Sequence, residues 1–528
     1  MMLCKRFPNA APTVEGGRRE CRRSARGHLT TAALLFLLAI LAACGAARVE
    51  HVEGREIVAD HREIDVPEPR FPERPPSRPP VPEAVPGLDE YADWGPYNVH
   101  DPSGLRFDGW FYVYSTDVAV GYNPDTGGLG DRVGLQIRRS RDLVEWEFVG
   151  WVFEGIPRHT VDYVSETAGT APTNMWAPGV VRVDDEFRIY YSVSRIGTQN
   201  SVIGLAVADH PEGPWEDRGP VLRTRAAQSP PVNAIDANVV IDHETGRHWM
   251  VYGSYWEGLR VLELDPDSGM PLEDGYGEPL VRRSSPGDSV EAPVVTYNEE
   301  FDAWYLFFSY GWLADTYRVL VGRADSPEGP YYDHLGRDLS EPNDGGLLVV
   351  APHRFSEPRA ANRSNGWQGT GHSGVIRDGS DHYLLHNARP SANYHWTQLH
   401  VRTLAWGEDG WPRANPMPYA GEGVQPVPTA SIPGEWEIVV LHPDARGQQA
   451  RSTVVTFTED NLLVQREQHG SWAQTGENTA SVVLGTGLGP FEGVLFASWD
   501  WENDRPALTF SGITESGTIL WAKRLDSE

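Results

Sequence analysis

Lysine is almost missing from this 528-residue chain: Lys5 and Lys523 are the only two, so nearly all of its 45 basic side chains are arginine, against 74 acidic ones. A formal net charge of −29 repels phosphate backbones and excludes nucleic acid as a partner. Cysteine is scarce as well, with Cys4, Cys21 and Cys44 its three examples. Two of them fall in a segment that reads as a leader, so no disulfide is expected in the remaining chain, and thiolate metal sites and cysteine nucleophiles drop out too. Long apolar runs are lacking: Leu29 to Ala43 has the length of a signal-peptide core and is short for a membrane span. Helical periodicity is missing too. No convincing amphipathic helix follows Asp89, which points to an all-β protein.

What is present begins with export. Arg18, Arg19, Arg22, Arg23 and Arg26 precede the apolar run, as in a secretory signal. The run ends Leu41-Ala-Ala-Cys44, which resembles a bacterial lipobox, where the cysteine is lipidated and becomes the new N-terminus. A plain export signal with an incidental cysteine would look the same. Residues 1–44 are therefore expected to be a lipoprotein-type signal peptide, and the protein to lie in the cell envelope or outside the cell. The lipid would be its only membrane contact. Removal of residues 1–43 discards seven positive and two negative charges and leaves a net charge of −34. Residues 45–88 are rich in Pro, Glu and Arg, cannot bury enough apolar area to offset ordering, and are expected to form a disordered tether.

From Asp89 the texture changes to short runs rich in Val, Ile, Tyr, Phe and Trp, separated by Gly, Asp and Asn. Five segments share one shape, a polar or aromatic residue, an apolar strand, a tight turn and an aromatic strand. They span His100 to Ser115, Trp176 to Ser192, Ile235 to Ser254, Glu291 to Ser309 and His372 to His386. Their spacing leaves room for a four-stranded blade each, so residues 89–426 are expected to form a five-bladed β-propeller. Aligned on the hairpins, Asp101, Trp176, Asp236, Glu291 and His372 share one column. In a propeller, one column becomes one ring of side chains around the axis. Residues 427–528 carry shorter alternating runs that predict a separate small β-barrel.

Three acids in that ring are hard to explain structurally, because an apolar strand rarely begins with a carboxylate. Each alone would pass for a solvated turn acid; their common phase argues otherwise. Glycoside cleavage needs a protonated carboxyl to protonate the leaving oxygen and an ionised one to activate water or attack carbon. A third acid nearby can raise the donor's pKa by like-charge repulsion.

The motifs in order, Val99-His-Asp-Pro-Ser103, Met175-Trp-Ala-Pro178, Asn233-Ala-Ile-Asp236, Val251-Tyr-Gly-Ser-Tyr-Trp256, Glu291-Ala-Pro293 and Trp367-Gln-Gly-Thr-Gly-His372, resemble the family-43 glycoside hydrolases, and among them the extracellular endo-α-1,5-L-arabinanases. The likeness spans about residues 91–425, and the C-terminal barrel is similar to an extra domain that some of these enzymes carry. It implies Asp101 as general base, Glu291 as general acid and Asp236 as modulator of the acid. It also implies inversion, with base and acid carboxyls roughly 6.5–9.5 Å apart. His372 matches a histidine that helps hold a metal, usually calcium, in the axial channel largely through water; a hydrogen-bonded channel histidine is the alternative. Trp176 and, more weakly, Trp94 are candidates to stack on sugar, against simple blade packing. Arg389 matches an arginine that contacts sugar or the modulating carboxylate, and Asn200 and Ser201 are candidates to line the cleft. Two positions depart from the family pattern: Ala237 stands where proline is common, and Gly179 where an acid is common.

The expected function is hydrolysis of internal bonds of arabinan, the pectin side chain, by a monomer. Exo-acting arabinofuranosidases and β-xylosidases share the acids and differ in the loops that wall the cleft. A non-catalytic glycan-binding propeller is a third reading; it predicts a missing acid or base, and both are present.

Overall fold

The computed structural model describes residues 61–75, 94–116, 118, 134–356, 365–392, 397–444 and 449–525. The expected signal peptide with Cys44, and the tether outside 61–75, lie beyond these. Five antiparallel sheets stand as blades, each with the strand order of a meander. The innermost strands are His100–Phe107, Trp176–Val183, Asn238–Ile241, Glu291–Asn298 and Trp367–Asp378. Each pairs with the next strand along the chain, Trp110–Thr116, Glu186–Ser194, His248–Tyr252, Ala303–Tyr310 and Asp381–Pro390. These second strands are apolar and almost wholly buried because they face a blade on either side. The ring closes where Pro96 to Asn98, just before blade 1, bond the backbone of Thr397 and Leu399 in blade 5.

One prediction needs correction here. A helix, Arg158–Ala168, follows blade 1. It buries only Thr160 and Val164, one position per turn, and its β-branched residues have weak helix propensity; neither gives a visible amphipathic stripe.

Downstream of the blades, eight strands from Gly434–Leu441 to Ile519–Arg524 close into a barrel. Its inside is filled by Trp436, Trp472, Phe457 and Phe510. The expectation of a disordered tether is corrected over residues 61–75, which lie against this barrel. Ile64 and Thr429 exchange hydrogen bonds, Arg62 N–H donates to the Gln474 carbonyl, Arg70 pairs with Gln425, and Phe71 packs on the barrel core. An extended Pro-rich segment has no internal hydrogen bonds, so its peptide groups are free to pair with a neighbour.

Candidate active site

The register of the blades fixes where the ring residues sit. His100 lies opposite Thr116, Trp176 opposite Ser192, Glu291 opposite Ser309 and Gly371 opposite Asn387. Each of these four pairs is followed by a bulge, and the next residue takes a left-handed backbone: Asp101, Ala177, Ala292 and His372 have φ of 52°, 40°, 60° and 54°, and Asp236, ahead of the inner strand of blade 3, has φ of 60°. The single column expected from sequence is thus two adjacent columns. Trp176 and Glu291 occupy the first, with His100; Asp101, Asp236 and His372 occupy the second. A bulge inserts an unpaired residue and re-aims its side chain, so neighbours from both columns reach the axis.

The left-handed residue also ties the blades together. Its backbone N–H donates to a side chain at the end of the preceding blade's second strand: Ala177 to Thr116, Asp236 to Ser192, His372 to Ser309 and Asp101 to Asn387, at 2.8, 3.1, 3.0 and 3.4 Å. Blade 3 has Gly253 at that position and no side chain to offer. There Ala292 N–H donates instead to Asp236 Oδ2, at 3.2 Å. The one break in the ring therefore couples Asp236 to the strand that presents Glu291.

Asp101 is held as an anion. Burial alone would raise its carboxyl, but His100 and His372 outweigh it and keep it well below the usual carboxylate range. Their Nδ1 atoms lie 2.5 and 2.8 Å from Asp101 Oδ1, and Thr116 donates to Oδ2 at 2.7 Å. A carboxylate oxygen accepts two hydrogen bonds, so Oδ2 retains a lone pair for water. Burial would lower His372, yet Asp101, Asp236 and Glu291 lift it to about 9.

Glu291 is gripped from two sides, by Ser254 Oγ at 2.8 Å on Oε2 and by the Tyr317 hydroxyl. Burial raises it, in part offset by those hydroxyls and His372. Burial also pushes Asp236 up to about 8, opposed by His372 and reinforced by Glu291 and Asp101. Two buried carboxyls that repel each other titrate as a pair. Ser254 and Tyr317 can donate or accept, so a proton can rest on either. One ionised carboxylate and one protonated pair in a single funnel is the equipment of general acid–base catalysis.

The remaining candidates divide. Arg389 is buried, feels the Asp101 charge rather than Asp236, and is lowered by that burial to about 10. Trp176 is half-buried at the ring. Trp94 is only 3% exposed, so little of its face is open to a sugar. Asn200 and Ser201 are both buried: Asn200 Oδ1 accepts from Ala226 N–H, and Ser201 Oγ bonds Asn233 Oδ1 and Ser194 Oγ. They brace the turn that leads to Asp236. Sequence reasoning missed His100, Thr116, Ser254 and Tyr317; Thr116 and Ser254 are polar residues at the end of a repeat's second strand, whereas His100 and Tyr317 carried no such signal.

A cation at His372 would meet one nitrogen, Nε2, since Nδ1 is engaged by Asp101. No cluster of three His, Cys, Asp or Glu suited to a metal occurs among the described residues. This donor set fits a calcium ion only with a mostly aqueous shell, where the ion would add positive charge beside the three carboxyls.

The two departures from the family pattern prove to be one contact. A Cβ on Gly179 would lie 1.9 Å from the carbonyl oxygen of Ala237, so an acid at 179 is excluded by the backbone at 237.

Comparison with known proteins places the fold in a family. The model of glycosyl hydrolases family 43 matches residues 95–412, and that of a C-terminal lipocalin-like domain matches 416–522. Extracellular endo-alpha-(1->5)-L-arabinanase 2 of Bacillus subtilis is 28% identical over 461 residues, 81% of this chain and 93% of that protein. The crystal structure of endo-1,5-alpha-L-arabinanase from Thermotoga petrophila is similar at a TM-score of 0.71 and 26% identity, covering 81% of this chain and 99% of that one. Cellvibrio cellulosa alpha-L-arabinanase complexed with arabinohexaose gives 0.51 and 28%, covering 60% and 95%. With more than half its length matched by the family model and its acids converging in one funnel, the chain belongs to glycosyl hydrolases family 43.

Proposed function

We infer that this protein hydrolyses internal α-1,5-L-arabinofuranosidic bonds of arabinan. The observation that carries the chemistry is the opposite charge state of Asp101 and the Asp236–Glu291 pair within one ring. Asp101 Oδ2 takes a proton from water as that water attacks the anomeric carbon; Glu291 delivers a proton to the departing oxygen. Water entering opposite the leaving group inverts the anomeric centre. Asp236, fixed by Ala292 N–H, keeps the acid protonated and in place. Arabinan rather than another glycan is supported by the names of the relatives, which also support export. Attachment of lipid at Cys44 would keep the exported protein on the envelope, and Cys44→Ser would then move activity from the membrane fraction to the medium. Calcium at His372 belongs to the same reading, and chelation followed by calcium reloading would lower and restore the melting temperature.

The test is incubation with debranched arabinan, arabinoxylan and an aryl arabinofuranoside, with Glu291→Gln as control. Oligosaccharides from arabinan alone, with kcat reduced roughly a thousandfold in Glu291→Gln, are expected. Release of monosaccharide only would overturn the endo reading; turnover of arabinoxylan alone would overturn the substrate.

A further inference from the structure

The ring residues begin the inner strands, opposite the ends of the second strands, so they share a face with the turns that lead from each blade's second strand to its third. In blade 4 this turn is Gly311 to Tyr317, between Ala303–Tyr310 and Arg318–Ala324. It carries Trp312, a residue 53% exposed. A tryptophan left half in water is the informative kind of exposed residue.

The turn that holds it has little freedom. Trp312 N–H donates to Thr316 Oγ1 at 2.7 Å, and the backbone N–H groups of Asp315 and Thr316 both return to the Trp312 carbonyl. Blade 5 locks the rest: Arg389 Nε donates to Leu313 O, Gln368 Nε2 to Ala314 O, Gly369 N–H to Asp315 O and Thr370 Oγ1 to Tyr317 O. At its start, Gly311 N–H donates to Ser289 Oγ at 2.7 Å, two residues before Glu291. At its end stands Tyr317, whose hydroxyl bonds the Glu291 carboxyl. The indole is therefore mounted on the same rigid unit that positions the proton donor.

The acid must lie beside the glycosidic oxygen, so the part of the polymer that leaves with that oxygen lies on the acid's side of the site. We propose that Trp312 is a sugar-stacking platform for the leaving-group side of the arabinan chain, taking the apolar face of an arabinofuranosyl unit beyond the scissile bond. The proposal rests on the arabinanase reading above. An aromatic ring fixed before binding loses little entropy on contact and buries CH groups against its face. A platform on that side favours binding registers that place several sugars beyond the cut.

The experiment compares wild type, Trp312→Ala and Trp312→Phe on arabinohexaose labelled at its reducing end. Trp312→Ala is expected to raise KM and to lower kcat/KM about tenfold, the size of one lost aromatic contact. Its cleavage should shift toward the reducing end, since fewer sugars are then held beyond the cut. Trp312→Phe should restore most of the loss, and the melting temperatures of all three should agree. A kcat/KM within about twofold of wild type with the same cleavage pattern would overturn the proposal. So would a fall in kcat alone with KM and pattern unchanged, which would mean that the ring acts through the acid. A wild type that leaves arabinohexaose intact would instead refute the substrate assignment itself.

Discussion

At the scale of residues, three acids in one ring are held in different protonation states by their neighbours. Asp101 has two imidazoles and a hydroxyl around it, whereas Asp236 has one backbone N–H, and burial decides the rest. The alkaline limb of kcat/KM should report loss of the pair's last proton. With Asp236 raised to about 8, the active form is present below that pH and fades above it. Asp236→Asn removes the like charge that holds the proton on, so the remaining carboxyl ionises sooner and the alkaline limb should move to lower pH, alongside a lower maximum. A pH–rate profile on debranched arabinan checks this, and an unmoved or rising limb would mean that Asp236 does not govern the acid. The acids themselves were legible in the sequence because a carboxylate at the mouth of an apolar strand has no structural excuse. Of their partners, Tyr317 was not, since it approaches from a loop of another blade, and Thr116 showed only as a polar strand end.

At the scale of elements, the bulge explains what pattern reading missed. A period-two alignment assumes that each residue opposes one partner, and a bulge breaks that count by one. Trp176 and Glu291 were therefore placed in phase with Asp101, although the pairing sets them one residue earlier. The same tight geometry around the axis brings inner strands so close that Gly179 faces the carbonyl of Ala237. Gly179→Ala should cost about 2–3 kcal/mol of stability by overpacking, with no reacting group touched. Urea unfolding measures this directly. A midpoint equal to wild type would show that blades 2 and 3 can separate at no cost. The helix Arg158–Ala168 and the docked stretch 61–75 were missed for a related reason: both depend on neighbours distant in sequence rather than on their own periodicity.

At the scale of the whole molecule, propeller and barrel share one core. Phe307, Val321 and Leu348 of blade 4 and Met417 of the connector pack in the same cluster as Val439, Ile519 and Trp521 of the barrel. A short parallel pairing of His353–Arg354 with Ala450–Arg451 adds backbone bonds across the junction. There too lies Lys523, fully buried, with Nζ 3.0 Å from Asp500, 3.2 Å from Glu502 and 3.6 Å from Glu437, and over the ring of Phe355 on the propeller side. Glu437 in turn accepts Ser356 N–H. The sequence marked Lys523 only as a rarity, because nothing local shows that this lysine meets three acids from distant strands. Lys523→Met keeps the side-chain length and removes the charge that all three carboxylates share, which should cost about 3–5 kcal/mol. Because the core is continuous, calorimetry should show that loss as one transition moved to lower temperature, with the propeller unfolding together with the barrel. Two separate transitions, only the barrel's being shifted, would mean that the barrel is an appended module and that the shared cluster contributes nothing to cooperativity.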